Sequence, residues 1–288
     1  MNWHGVLALW CGAFGLVALV GYGRSLAGLT RAQRTVRVTG RIERVREPRH
    51  GSSQEDGIAV VVRFRDPSTG EEFVVTNDTG TGDLITTAWV GREVGIRYRP
   101  GRPHAFRFTN SPQDGGRGLG LPNSAVLLIY VGLVVVASID WGWPWALVAV
   151  CGPLTVLTAF HLPGERRRMR KRLAELDAMA SATGRVIAVL RTVETDADGD
   201  LRTSRTPVYS FTTPEGTAVT GYQPSYLSDT TAVYGQEVVI HYAPDNPADF
   251  TPALAATRGS VEANLGCAVL ALVILAAAAA AGAVLLSR

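Results

Sequence analysis

Four stretches of the chain are continuously apolar and carry no Asp, Glu, Lys or Arg: residues 5–22, 124–139, 145–162 and 265–286. A helix rises about 1.5 Å per residue, so roughly 20 such residues cross the ~30 Å hydrocarbon core of a bilayer. The four runs predict four transmembrane helices. Pro153 inside the third predicts a kink. The first run has no Lys or Arg before it, as a signal peptide would, and Arg24, Arg31 and Arg34 follow it. It reads as an uncleaved helix.

Between these runs the pattern switches to period two. In residues 35–109 the apolar positions alternate at Val36 and Val38 and at Val60, Val62 and Phe64, with a further short run at Phe73–Val75. In residues 183–251 the corresponding runs are Val186–Val189, Val208–Phe211 and Ala218–Thr220. Alternation rich in β-branched and aromatic residues predicts strands. Gly51–Gly57 and Asp196–Asp200 read as hairpin loops, and Asp66–Gly70 and Thr213–Gly216 as tight turns. Residues 110–122 form a Gly/Pro linker. Residues 163–182 extend the third run as a basic juxtamembrane helix, with Met169, Leu173, Leu176 and Ala180 on one stripe. The predicted fold class is an α+β membrane protein. Four transmembrane helices carry two small, mainly antiparallel β-domains, each of five or six strands in a barrel or sandwich.

The two β regions repeat one another. Gly91-Arg92-Glu93-Val94-Gly95-Ile96-Arg97-Tyr98-Arg99-Pro100-Gly101-Arg102-Pro103 returns as Gly235-Gln236-Glu237-Val238-Val239-Ile240-His241-Tyr242-Ala243-Pro244-Asp245-Asn246-Pro247. Both reduce to G-x-E-V-x-I-x-Y-x-P-x-x-P, and Phe106 and Phe250 follow at equal distance. The offset is 144 residues, half of 288, and Thr39-Gly40-Arg41-Ile42 recurs at the same offset as Thr183-Gly184-Arg185-Val186. A fixed internal period of this kind implies a tandem duplication. Within the signature, Val94, Ile96 and Tyr98 share one face of a strand, as do Val238, Ile240 and Tyr242, and predict a core-forming strand. Gly91 and Gly235 enter it where positive φ is tolerated. The prolines are expected to end the ladder, since proline cannot donate to it. Each half reads helix, β-domain, helix, which makes a parallel repeat.

Charge then orients the chain. The net charge is only +3, and 27 of the 28 basic residues are arginine. On the side of the β-domains the helix flanks hold Arg24, Arg31, Arg34, Arg117, Arg258 and the run Arg166, Arg167, Arg168, Arg170, Lys171 and Arg172. The other side holds Arg288 and no base in residues 140–144. Basic flanks stay cytoplasmic. The expected location is the inner (plasma) membrane, with both β-domains in the cytoplasm and both termini outside. Tryptophans at positions 141, 143 and 145 suit a membrane–water interface.

The opening T-G-R-[IV] and the closing G-x-x-V-x-[IV]-x-Y-x-P-x-x-P, set between membrane helices, resemble a bacterial family, the domain of unknown function 3592. The resemblance covers both β regions and their membrane flanks. The first copy departs slightly, with Gly101-Arg102 where Asp245-Asn246 stands in the second. It implies a small β-domain on a membrane anchor and no known activity.

Candidate chemistry is sparse. No nucleophile elbow, phosphate-binding loop, zinc-protease motif or Cys pair occurs. Cys11, Cys151 and Cys267 each lie in an apolar run, which suits neither a disulfide framework nor a metal site. Asp196, Asp198 and Asp200 cluster carboxylates, but their glycine spacing does not fit a calcium loop, so a plain turn is the better reading. No catalytic residue, cofactor or metal is expected. The basic run 166–172 reads first as a topology determinant and second as a site for anionic lipid headgroups. Aromatics are not interleaved with it, so nucleic acid is not an expected partner. Tyr222 and Tyr226 flank a short Gln-Pro-Ser loop and are candidate recognition residues. Ala8 and Gly12, and Ala278 and Gly282, place small residues on helix faces that suit packing with this chain or another membrane protein. The expected function is a non-enzymatic binding or scaffolding module. A transport or channel accessory role, and lipid-headgroup or nucleic-acid binding through the basic run, are the alternatives.

Overall fold

A computed structural model describes residues 3–30, 35–54, 57–77, 84–109, 119–195, 201–223 and 233–287. The chain divides into two units, one of helices and one of strands.

The helical unit holds α1 (Trp3–Leu26), α2 (Gly120–Trp141), α3 (Pro144–Asp177) and α4 (Leu254–Leu286). All four are long and apolar enough to cross a membrane. α1 and α2 run antiparallel. Trp10 Nε1 donates to the Leu128 carbonyl at 2.9 Å, and the Tyr22 hydroxyl donates to Asn123 Oδ1 at 2.7 Å. Gly132 leaves room for the Trp10 ring; a Cβ there would fall 2.9 Å from it. Gly282 of α4 is buried against Leu147 and Val148 of α3. A Cβ on Gly12, by contrast, would meet nothing within 4 Å among the described residues. α3 continues through both Pro153 and Pro163 and carries the basic run. The expected helix 163–182 is therefore the end of α3 and stops at Asp177. Ala180 and Ala182 belong to a strand instead, where they pair with Tyr242 and Ile240. The ladder claims them over the helical stripe.

The β unit contains two antiparallel sheets. The first comprises β1 (Val36–Arg46), β2 (Ala59–Arg65), β3 (Glu72–Thr76), β5 (Glu93–Arg99) and β6 (Arg102–Thr109), in the order β3-β2-β1-β5-β6. The second comprises β7 (Ala180–Thr195), β8 (Leu201–Thr212), β9 (Ala218–Gly221), β10 (Glu237–Ala243) and β11 (Asn246–Thr251). Its order is β9-β8-β7-β10-β11, with the short β4 (Thr87–Ala88) added beside β9. The strand order is thus the same in both halves, and so is the register. Val36, Val38 and Gly40 face Tyr98, Ile96 and Val94; Ala180, Ala182 and Gly184 face Tyr242, Ile240 and Val238. Even the irregularity is copied. The β1–β2 ladder shifts at Glu43 and the β7–β8 ladder at Ile187, 144 positions on. An extra residue there bends the strand and re-aims the side chains beyond it.

This geometry explains both motifs. In each half the residue after the T-G-R arginine accepts the turn that leads into the signature. Gly91 N donates to the Ile42 carbonyl at 2.7 Å, and Gly235 N to that of Val186 at 2.8 Å. Gly91 and Gly235 have φ of 93° and 84°. The T-G-R glycine is needed for space. A Cβ on Gly40 would lie 2.6 Å from Ile96 and Val62 side-chain atoms, and one on Gly184 would lie 2.7 Å from Ile240. Val94, Ile96, Tyr98, Ile240 and Tyr242 are buried, as the alternation predicts, while Val238 is half-buried. The prolines do not end the ladder. Pro100-Gly101 is a turn, and the chain returns as β6, with Pro103 inside it. Pro247 sits likewise in β11. Both are edge strands, the one place in a sheet where a missing N–H is harmless.

The two repeats are not separate β-domains. Thr87 and Ala88 of the first pair with Gly221 and Thr220 of the second. One core joins Ile42, Val62, Phe64, Ile96 and Phe108 to Ala188, Leu190, Val208 and Tyr222. A second, smaller core gathers Val186, Tyr209, Phe211, Ile240, Tyr242 and Phe250. About 70 residues bury little alone, which favours sharing.

Candidate functional site

The basic run lies on the last third of α3. Arg166, Arg167, Arg168, Arg170 and Lys171 are exposed, and Arg172 is half-buried. Part of its charge is met locally. Arg168 pairs with Glu165 at 2.7 Å, Lys171 with Glu175 at 3.7 Å and Arg172 with Glu175 at 3.4 Å.

Tyr222 is not a surface residue. It is 1% exposed and belongs to the shared core, with its N–H donating to the Thr86 carbonyl at 2.8 Å. The short apolar run ending at β9 carries it inward, because β4 closes over that edge. Burial pushes its phenol up to about 12. Tyr226 lies outside the described residues, as do Asp196, Asp198 and Asp200. The ladder flanking that acidic segment closes at Thr195 opposite Leu201, as a hairpin requires.

The signature tyrosines are structural. Burial first, and the Asp66 carboxylate second, push Tyr98 up to about 12, although its hydroxyl makes no well-formed hydrogen bond. Asp66 opens the turn after β2 and accepts from Ser68 N and Oγ at 2.8 and 2.7 Å, which holds its carboxyl below the usual value. Tyr242 is raised by burial and then by Glu215, in the matching turn of the second half. In both copies the tyrosine therefore backs the turn between the second and third strands.

A different feature stands out where the repeats meet. Residues 50–53 of the first repeat lie along the edge of β7 beyond the reach of β10. Gly51 N donates to the Val189 carbonyl and Arg191 N to the Ser52 carbonyl, both at 2.9 Å. Gln54 Oε1 accepts from Thr192 Oγ1 at 2.6 Å and Thr206 Oγ1 at 3.0 Å. This seam borders a crevice of about 250 Å³ lined by His50, Val189, Arg191, Arg205, Val233 and Tyr234. His50 Nδ1 accepts from Val189 N at 3.2 Å, and its ring lies 5.0 Å from that of Tyr234. Arg191 and Arg205 stand directly opposite one another on β7 and β8. No sequence motif singles out any of these residues as a site. Two arginines on separate runs become neighbours only once the hairpin register is known.

Among the described residues, no group of three or more His, Cys, Asp or Glu side chains could hold a metal ion. No protein-family model, no curated protein and no solved structure matches the chain.

Proposed function

We propose that the chain is a multi-pass inner-membrane protein in which α1–α4 anchor one fused β unit on the cytoplasmic side as a non-enzymatic binding or scaffolding module. The observation that carries this reading is the outward surface of the helices. Leu9, Leu19, Phe160 and Leu270 are 60–81% exposed, and no more than 6% of any helix's most apolar window is buried within the chain. Water does not tolerate so large an apolar surface, whereas lipid solvates it. The excess of arginine at the helix ends nearer the β unit in sequence supports the orientation. Likeness to the domain of unknown function 3592, resting on the two copies of the signature, is part of the same reading.

Anionic lipid headgroups are the second reading, favoured by the exposed Arg166, Arg167 and Arg170 on α3. Each base near a membrane surface contributes roughly 1 kcal/mol.

Cysteine accessibility tests the proposal. In a variant with Cys11, Cys151 and Cys267 replaced by alanine, Trp143→Cys should react with an impermeant maleimide on intact cells. Thr69→Cys should react only after lysis. The opposite pattern sinks the orientation, and recovery of the chain from the soluble fraction sinks the membrane reading.

A further inference from the structure

We propose that the crevice at the seam of the two repeats binds a phosphoryl group. Among the described residues its polar wall holds two guanidinium groups, an imidazole and a phenol, each able to donate, from both repeats. Among the described residues no carboxylate lines it. Because His50 Nδ1 accepts the Val189 N–H, the proton of the neutral ring resides on Nε2, which makes that nitrogen a donor.

The placement of Arg191 opposite Arg205 is the core of the argument. Like charges directly opposed across an antiparallel pair repel and destabilise a sheet. Neither guanidinium pairs with a carboxylate among the described residues. Arginines also stand opposed in the first sheet, at Arg41–Arg63, Arg37–Arg97, Arg97–Arg107 and Arg99–Arg102, and Arg63 there is met by Glu43 at 2.5 Å and Glu72 at 3.4 Å. What sets Arg191 and Arg205 apart is that their pair lines a crevice with an imidazole and a phenol. An anion between the two guanidinium groups turns their repulsion into two charge-assisted contacts. A carboxylate carries one negative charge on two oxygens, so two guanidinium forks and an imidazole must share them. A phosphoryl group has enough acceptor oxygens for two forks and an imidazole N–H. A volume of about 250 Å³ takes that group with a small part of whatever carries it, and falls short of the usual ~300–1,000 Å³ of a drug-sized pocket.

The phosphoryl group has two sources, a soluble phosphate ester or a lipid headgroup. The test uses the full chain in phosphatidylcholine nanodiscs and reads its melting temperature. One arm adds glycerol phosphate or inorganic phosphate, and the other replaces a fifth of the lipid with phosphatidic acid. Each arm is run on the native chain, on Arg191→Gln/Arg205→Gln and on Arg191→Lys/Arg205→Lys. The expected result is a saturable rise in melting temperature for the native chain in one arm, which names the source. The glutamine variant should need at least tenfold more ligand for the same rise, and the lysine variant should fall between. Without ligand the glutamine variant should melt no lower than the native chain, because the repulsion is gone. Equal responses in native and glutamine chains, or no response of the native chain in either arm, overturn the proposal.

Discussion

The first sheet is built from the first repeat alone, whereas the second sheet takes in a strand lent by the first repeat. Both hold the same five strands in the same order, with the same register around the signature and the same bulge. They differ at the margins. β7 and β8 run to 16 and 12 residues where β1 and β2 have 11 and 7. β4 leaves the first repeat to extend the second sheet. The centre of each copy was held because glycine, isoleucine and tyrosine there leave no slack. The periphery was free to change, and the changes joined the copies together.

The comparison can be broken most severely at its centre. Ile96→Asp and Ile240→Asp each place a carboxylate at a fully buried position, one in each core. The cost of burying an unpaired charge exceeds the whole stability of many domains, so loss of folding is expected. Chemical denaturation should show each variant losing both sheets in one transition. If Ile240→Asp leaves the first sheet folded, the repeats are independent.

Gly40→Ala and Gly184→Ala ask whether the two copies are equally tight. Each should cost about 1–3 kcal/mol, as overpacking does. Gly184→Ala should cost more. Its Cβ would lie 3.1 Å from the Ser210 carbonyl, against 3.3 Å from the Arg63 carbonyl for Gly40, and backbone yields less than the tip of a side chain. Equal midpoints would show that the second repeat relaxes more than its packing implies.

Gln54→Ala cuts a contact that belongs to neither repeat alone. It strands the hydroxyls of Thr192 and Thr206, the latter buried, and should cost about 1–2 kcal/mol. Hydrogen exchange should quicken in the β7–β8 hairpin and leave β1–β5 unchanged.

The smallest effect at neutral pH comes from Tyr98→Phe with Tyr222→Phe. Among the described residues neither buried hydroxyl makes a well-formed hydrogen bond, so their removal should be neutral or stabilising by up to about 1 kcal/mol. The difference shows in alkali. A phenol raised in the folded state contributes stability that is whole below its ordinary value of 10.0 and is lost as pH rises through about 12. The native chain should therefore lose stability between these limits, and the double variant should lose less. Parallel curves for the two chains would contradict the raised values.

Much of this architecture was legible because it rests on short-range pattern. Apolar runs exposed the helices, and alternation at Val94, Ile96 and Tyr98 exposed the core strand. The spacing of Gly91 and Gly235 exposed the entry turn. What escaped depended on long-range pairing. β6 and β11 were hidden by Pro103 and Pro247, although Phe106 and Phe108, at alternate positions, marked a strand. Tyr222 looked like a loop aromatic because nothing near it in the chain announces that β4, more than a hundred residues earlier, covers that edge. The opposed Arg191 and Arg205 required the register of a hairpin whose tip lies outside the described residues.

β4 also imposes a timetable on synthesis. Thr87 and Ala88 leave the ribosome well before Thr220 and Gly221, and α2 and α3 are made in between. At roughly 5–20 residues per second, the partner strand arrives on the order of ten seconds late. Throughout that interval the nascent first half presents an unpaired edge and the core face that later receives Leu190, Val208 and Tyr222. A chain interrupted in that interval holds half a core.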